Sequence, residues 1–339
     1  MLVITSTPKP HILILGCGSI GQRHLRAFAA TQRCRLSVCD NRSEALAQLT
    51  EQYQFTPYGN HHDAFTDRSI TGVIIATPAP SHVSLAHHAL STGRHVLVEK
   101  PLSLSEEGVE ALIELQKESG AHAGVAYVQR FNPAIYAART FLHSNEWGPV
   151  LQASFRGGQH FPTFRPAYRD IYYRDRAQGG GCIQDSLTHS IDTMGWILGS
   201  PTQVFCDAAH QALEGVQVED TVSLNARFGS CLVNVALNQF QAPNEAQWDF
   251  HLSKGSVRID VRGHRWGKFA LGASSWEWIE FPHPGRDGQF LLQAHAFLDG
   301  CEGRPSPQSC TLIEGYQTLR FTLATLLSAE KQLPVSVVA

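Results

Sequence analysis

The sequence predicts an α/β fold in two parts: an N-terminal doubly wound parallel sheet, then an α+β domain with an open, mostly antiparallel sheet. Three observations lead there. Strand-like apolar runs alternate with helical segments from His11 to Ala126. After about residue 127 this gives way to β-rich runs separated by short turns. Finally, a chain of 339 residues, 43% of them hydrophobic, is long enough for about two domains with sizeable cores. The expected division is 1–126 and 127–339.

The first apolar run, Ile12–Leu15, ends on Gly16-Cys17-Gly18-Ser19-Ile20-Gly21, with helical Gln22–Ala30 behind it. Gly16 permits the tight turn, Gly18 lets the backbone approach a pyrophosphate, and Gly21 lets the helix pack close to the strand. The helix start, with Ser19 and Ile20, offers free N–H groups and a positive dipole end to phosphates. A second run, Arg35–Cys39, ends on Asp40, whose carboxylate can accept from both ribose hydroxyls of adenosine. Arg42 could instead turn toward a 2′-phosphate. NAD is therefore the expected cofactor, with NADP left open.

Ser43–Tyr53 reads as a helix with Ser43 as its N-cap, and Phe55–Tyr58 as a short strand. Thr71–Ala76 is a buried-type strand leading into Thr77-Pro78-Ala79-Pro80-Ser81-His82, which opens a helix at Ser81–Thr92. His95–Val98 runs into Glu99-Lys100-Pro101. Ser105–Ser119 is a helix with Ser105 in cap register, and Ala121–Ala126 is the sixth strand. Ligands of such sheets sit beyond the strand carboxyl ends, where these loops fall. Thr77, Pro78, His82, Glu99 and Lys100 therefore join the expected cofactor contacts.

In the second part, Asn132–His143 is a helix and Val150–Gln159 a strand. An irregular stretch over 161–178 is rich in aromatics and arginine. Gly179-Gly180-Gly181 precedes a helix at Cys182–Leu198. Strands follow at Gln203–Ala209, Asp220–Phe228, Cys231–Phe240, Gln247–Ser253, Ser256–Val261 and Trp276–Phe281. Helices at Gln289–Cys301 and Thr311–Ser328 close the chain on the domains' outer side. On the Cys182–Leu198 helix, Ile183, Leu187, Ile191, Met194 and Leu198 share a stripe about 80° wide. Asp185, His189 and Asp192 fall opposite it, within about 60° of one another. Alone, this is an ordinary solvated polar face. The glycine run before it is conformationally costly and points to a close approach of the backbone to something. Two ligands at i,i+4 with no third give no metal site. Lys100 precedes a proline that can turn cis; solvated it is inert, buried it is a tunable donor and acid/base.

Composition excludes several functions. A net charge of −3 and a pI near 6.6 give no electrostatic reason to expect nucleic acid or an anionic membrane as partner. Eight scattered cysteines fit free thiols in a reducing cytoplasm. The start, MLVITSTPKPH, lacks the regions of a signal peptide, and no long apolar run could span a membrane. Most of the 17 histidines, such as His61-His62 and His87-His88, carry no assigned role.

GCGSIGQRH, ATPAPSH, EKP, YVQRFNP and GGGCIQDSLTHSID, in this order and spacing, resemble the Gfo/Idh/MocA oxidoreductases. That family is named for glucose–fructose oxidoreductase and inositol dehydrogenase. The resemblance covers nearly the whole chain and weakens over about 200–290. It implies a Rossmann domain and a second domain whose open sheet serves substrate binding and a homodimer or homotetramer contact. It also implies NAD(P)-dependent oxidation of a secondary alcohol on a sugar or cyclitol, or the reverse. By position, Lys100 matches the family lysine, and Asp185 and His189 match the other two catalytic positions. His189 then serves as base and Lys100 steadies the developing oxyanion, while Asp185 orients a neighbouring hydroxyl. One departure is Ala79 after Pro78, where members often carry asparagine or threonine.

Tyr127, Arg130, His160, Arg165, Tyr168 and Tyr173 are the expected substrate contacts, with Lys100, Asp185 and His189. Phe161, Phe164, Tyr168, Tyr172 and Tyr173 interleave with Arg165, Arg169 and Arg174, which suits a polyhydroxylated ring and admits an anionic sugar. The same residue types also make subunit interfaces. Two other functions fit the motifs. One is glycoside cleavage through transient C3 oxidation and elimination; the other is a cofactor-binding regulatory protein without turnover.

Overall fold

The structure, a computed structural model, describes residues 9–285 and 287–337. The signal-peptide reading rests largely on residues 1–8, outside the described residues. In the N-terminal half the apolar runs form β1 (His11–Leu15), β2 (Arg35–Cys39), β3 (Thr56–Tyr58), β4 (Gly72–Ile75), β5 (His95–Val98) and β6 (Ala123–Val125). They are parallel, in the order β6-β5-β4-β1-β2-β3, with Cys310–Thr311 antiparallel on the β6 edge. Every residue of β1 and β4 is buried, as a sheet covered on both faces requires. The strand order turns around between β1 and β4, so the loops after these two strands flank the switch point where such sheets bind ligands.

The connecting helices are α1 (Ser19–Thr31), α2 (Ser43–Thr50), α3 (His61–Thr66), α4 (His82–Ser91) and α5 (Val109–Ser119). Two expected caps are corrected. The N-cap of α2 is Arg42, without a side-chain bond, and that of α5 is Gly108 at φ 74, so neither Ser43 nor Ser105 caps. The chain divides into two compact units, and the cut at 126/127 is only one of several crossings. The first unit also takes Pro284–Thr311, and the second also takes Lys100–Glu107. The Gly288–Cys301 helix lies against α1: Phe297 meets Phe28 edge-on at 6.0 Å, and Arg23 and Arg26 each reach Asp287 at 2.8 Å.

The second unit is built on β7 (Val150–Gly158), β8 (Gln203–Ala209), β9 (Thr221–Phe228), β10 (Cys231–Asn238), β11 (Glu245–Leu252), β12 (Gly255–Asp260), β13 (Arg265–Ala270) and β14 (Glu277–Glu280). Their order is β14-β13-β12-β11-β7-β10-β9-β8, with Val335–Ser336 beyond β8. All pairs are antiparallel except β7 with β10. The alternation is plain on β10, where Cys231, Val233, Val235 and Leu237 are buried and the residues between them are not. Sequence reading missed β13, where Gly267 interrupts the pattern; a Cβ there would lie 2.8 Å from the Trp278 ring. Helices α6 (Pro133–His143), the single turn α7 (Phe161–Phe164), α8 (Thr188–Leu198) and Leu312–Lys331 complete the unit. Ile183, Leu187, Ile191 and Met194 enter one core with Val233, Trp248, Phe250 and Phe321. The expected Cys182–Leu198 helix begins with a π-helical stretch, Ile183–Leu187, so a uniform 100° wheel does not describe it.

The helix–strand approach in the first unit can be tested. A Cβ on Gly21 would stand 1.9 Å from the Gly16 carbonyl oxygen, whereas one on Gly18 would meet nothing within 4 Å. Gly21→Ala is expected to destabilise by ~1–3 kcal/mol, as overpacking does. Gly18→Ala should leave thermal denaturation unchanged.

Candidate functional site

The first unit presents a dinucleotide cradle. Gly16, at φ 87, has no room for a side chain, since a Cβ would lie 2.7 Å from the Ala76 carbonyl. The turn thus sits directly on the loop after β4. Open space over Gly18 is the property a pyrophosphate needs, and the N–H groups of Ser19, Ile20 and Gly21 begin α1 without helical acceptors ahead of them. Asp40, buried at the end of β2, accepts from the Cys17 N–H at 2.8 Å. Arg42 grips the same carboxylate with Nε and Nη2, each at 2.9 Å. The Arg42 fork, helped by the Cys17 N–H, overrides burial and holds the Asp40 carboxyl well below the usual carboxylate range. Burial, with Asp40 beside it, pushes the Cys17 thiol up to about 11, so it stays protonated at neutral pH. The residues present fit NAD at the glycine turn, which leaves room for the pyrophosphate, while Arg42 and the Cys17 N–H already occupy both oxygens of Asp40.

Thr77, Pro78 and His82 hold their own loop. Thr77 Oγ1 pairs with Ser81 Oγ at 2.7 Å, Ser81 donates to the Pro78 carbonyl at 2.8 Å, and buried His82 bonds the Thr77 carbonyl at 2.8 Å. Glu99 Oε1 meets His24 Nε2 of α1 at 2.7 Å, both side chains buried.

The second unit gathers a polar cluster around Asp185, in the π-helical stretch before α8. Lys100, whose bond to Pro101 is cis, donates from Nζ to the Asp185 carbonyl at 2.7 Å and lies 3.4 Å from Oδ1. Tyr172 donates to Oδ1 at 2.5 Å. Arg165 Nη1 donates to Oδ2 at 2.5 Å and Ser186 to the same oxygen at 3.1 Å. Ser186 in turn accepts from Gln239 Nε2 at 2.8 Å, and Gln239 Oε1 accepts from the Tyr173 hydroxyl. Burial alone would raise the Asp185 carboxyl. The charges of Lys100 and Arg165 and the Tyr172 hydrogen bond outweigh it and hold the group well below the usual carboxylate range. Half-buried His189 follows one turn later, edge-on to the Tyr127 ring at 6.0 Å.

The glycine run explains how this stretch is held. A Cβ on Gly180 would lie 2.2 Å from the Tyr173 carbonyl, and one on Gly181, at φ 90, 2.5 Å from Glu219. Glu219 accepts from the Ile183 N–H at 3.1 Å and from Arg176 at 2.5 Å. What the glycines approach is the chain itself.

Several expected contacts are corrected by burial. Asp192 is fully buried, not on an open polar face. Arg130 Nε and Nη2 bind it at 2.8–3.1 Å and Nη1 binds Glu314 at 2.9 Å, so Arg130, 2% exposed, is committed to anchoring α8. Tyr168 and Tyr173 pack with Phe161, Leu213, Val216 and Val218 in a satellite core, the Tyr168 hydroxyl donating to the Glu214 carbonyl at 2.8 Å. Tyr127 is buried, its hydroxyl 3.0 Å from Thr188 Oγ1. His160 pairs with Thr163 at 2.8 Å beside α7. Asp185 has its oxygens taken by donors and does not stand open to accept from a substrate hydroxyl. Tyr172, 40% exposed, reaches Asp185 where Tyr173 was expected to contribute. A tyrosine doublet in an irregular stretch has no periodicity that says which ring turns inward. Ser186 and Gln239 were also missed; no spacing in the sequence links them to Asp185.

A dinucleotide-binding parallel sheet followed by an open-sheet domain with this polar cluster defines a class of oxidoreductase architecture. Residues 11–127 match the model of an oxidoreductase family with an NAD-binding Rossmann fold, and residues 135–258 match the GFO/IDH/MocA C-terminal domain. The chain belongs to the Gfo/Idh/MocA oxidoreductase family, and its first unit is an NAD-binding Rossmann domain. Oxidoreductase P35 of Formosa agariphila is 28% identical over 186 residues, covering 53% of this chain and 58% of that protein. Inositol 2-dehydrogenase of Salmonella typhimurium is 26% identical over 191 residues, covering 55% and 53%. The chain thus spans little more than half the length of these curated relatives. A levoglucosan dehydrogenase solved with NADH and levoglucosan shares the fold, with a TM-score of 0.87 at 21% identity over 97% of this chain and 100% of that one. Among the described residues no helix is long and apolar enough to cross a membrane, and no three His, Cys, Asp or Glu side chains cluster as metal ligands.

Two outcomes are expected. Asp40→Ala should weaken NADH binding by about tenfold or more, the worth of a hydrogen bond to a charged group, and narrow any preference over NADPH. Fluorescence titration of both cofactors measures it. Because the Asp185 carboxyl is depressed in the folded state, the stability it contributes is present above the unfolded carboxylate value of about 4 and fades as pH falls below that. Acid titration of the melting temperature should therefore be shallower in Asp185→Asn than in the wild type.

Proposed function

We propose that this protein is an NAD-dependent dehydrogenase or reductase acting on a secondary alcohol or ketone of a polyhydroxylated ring, a sugar, sugar derivative or cyclitol. The observation carrying this reading is the Lys100 ammonium fixed on Asp185, one helical turn from His189. The relatives named for inositol and levoglucosan oxidation support the substrate class. NAD, when bound, supplies the hydride acceptor. His189 takes the hydroxyl proton as the alcohol is oxidised and returns one in the reverse direction. Lys100 steadies the oxygen as negative charge develops on it, and its fixed position spares reorganisation at that moment. Arg165 and Tyr172 hold ring oxygens, and Asp185 aims all three donors. Asp40 favours NAD by repelling a 2′-phosphate. The open face of the second unit's sheet serves a homodimer or homotetramer.

Lys100→Met and His189→Ala should fold and bind NADH as the wild type does, with kcat/KM on a verified substrate reduced by ~10²–10⁴-fold. Near wild-type turnover by either variant removes that residue from the mechanism. A screen of NAD reduction and NADH oxidation over sugars, cyclitols, keto-sugars and simple alcohols tests the substrate class. A preference for simple alcohols, with no polyol turned over or bound, overturns it.

A further inference from the structure

We propose that Arg42 is a displaceable occupant of the adenosine-ribose subsite, and that its release from Asp40 sets how the protein divides its affinity between NAD and NADP. The inference rests on the NAD reading above and concerns only the adenosine end of the cofactor. Its basis is a count of positions on Asp40. A carboxylate has about four acceptor positions. Oδ1 accepts from the Arg42 N–H and from Arg42 Nε, each at 2.9 Å. Oδ2 accepts from the Cys17 N–H at 2.8 Å and from Arg42 Nη2 at 2.9 Å. Every position is taken, and a ribose that donates from both hydroxyls needs two of them.

The donors are not equally fixed. Two are backbone groups whose places the fold sets: Cys17 lies inside the glycine turn, and the Arg42 N–H stands at the N-cap of α2. The other two belong to one guanidinium. The Arg42 side chain is 60% exposed, whereas that of Asp40 is 7% exposed. A solvated guanidinium gives up an ion pair for water at small cost, as the low worth of exposed pairs shows. A backbone N–H has no such exchange open to it. The ribose therefore takes the two places held by the fork, and the Cys17 and Arg42 N–H groups stay. The buried carboxylate is not stranded by the exchange, because the ribose hydroxyls donate to it in the fork's place.

The two cofactors differ in what they offer the released guanidinium. NAD offers it nothing at the ribose, so the Arg42–Asp40 pair opposes NAD binding. NADP carries a 2′-phosphate, whose oxygens accept the same planar fork in charge-assisted bonds. Arg42 then exchanges one anion for another and meets a charge that Asp40 alone repels. Asp40 favours NAD, and Arg42 narrows that preference from both directions. It competes with the ribose of NAD and pairs with the phosphate of NADP.

The test is fluorescence titration of the full chain with NADH and with NADPH. Arg42 caps α2 without a side-chain bond, so Arg42→Ala leaves the helix start intact. In that variant NADH should bind about threefold or more tighter than in the wild type, the worth of an exposed ion pair. NADPH should bind about tenfold or more weaker, the worth of a hydrogen bond to a charged group. Arg42→Lys keeps the charge and loses the fork, and should fall between for both cofactors. The gain for NADH should vanish when Arg42→Ala is made on Asp40→Ala, since no acid remains for the fork to cover. If Arg42→Ala does not fold, Arg42→Lys decides the matter by the same signs. NADH binding that Arg42→Ala weakens or leaves unchanged overturns the inference. So does a gain that persists on Asp40→Ala, or a wild type that binds no NADPH. NADH that binds neither the wild type nor Arg42→Ala overturns the NAD reading itself.

Discussion

An ionised carboxylate taken out of water is tolerated only when its oxygens are satisfied and its charge is met. Asp185 imposes that condition on the second unit. Lys100 arrives from the turn after β5, Arg165 and Tyr172 from the irregular stretch after α7, and Ser186 from the helix that carries Asp185. The acid is the one partner that all four side chains share. The acid in turn would be costly to bury without them. The Gln239 and Tyr173 contacts extend the same requirement to β10 and the satellite core. A fixed ammonium and a fixed guanidinium are the by-products of satisfying one buried anion.

A second buried ion pair lies further along the same helix. Arg130 and Asp192 are both out of solvent, and the guanidinium also lies 5.1 Å over the Trp196 ring. Removing either partner of such a pair strands a charge, which is why pairs of this kind fix geometry more reliably than they add net stability. Asp185 and Asp192 thus divide the helix between two tasks. One acid organises the groups with exposed surface, and the other ties α8 to the segment after Tyr127.

The first unit shows the opposite economy. Its cradle depends on absent side chains: a carbonyl stands where Gly21 would carry a Cβ, and open space remains over Gly18. The acid at the end of β2, Asp40, is already held by Arg42 and the Cys17 N–H, so its carboxylate is ionised and oriented without a ligand.

The sequence by itself singled out Asp40, Lys100, Asp185 and His189 as expected site residues, the last three through the family resemblance, and it determined the parallel sheet and the glycine cradle. These are legible because they rest on local rules. Buried strands read as apolar runs, and a tight turn onto a helix needs glycine at set positions. Tertiary structure decided which polar groups face outward. Arg130 and Tyr173 look like binding residues from composition and are buried, while Tyr172 is exposed and reaches the acid. That difference depends on where Glu219, Gln239 and the satellite core stand, and these are far from the loop in sequence. It also decided that 284–311 packs with the first unit, because the Phe297 side of that helix fits α1, whatever its place in the chain. Burial is set by the partners a side chain meets in space, and a linear pattern records only its neighbours along the chain.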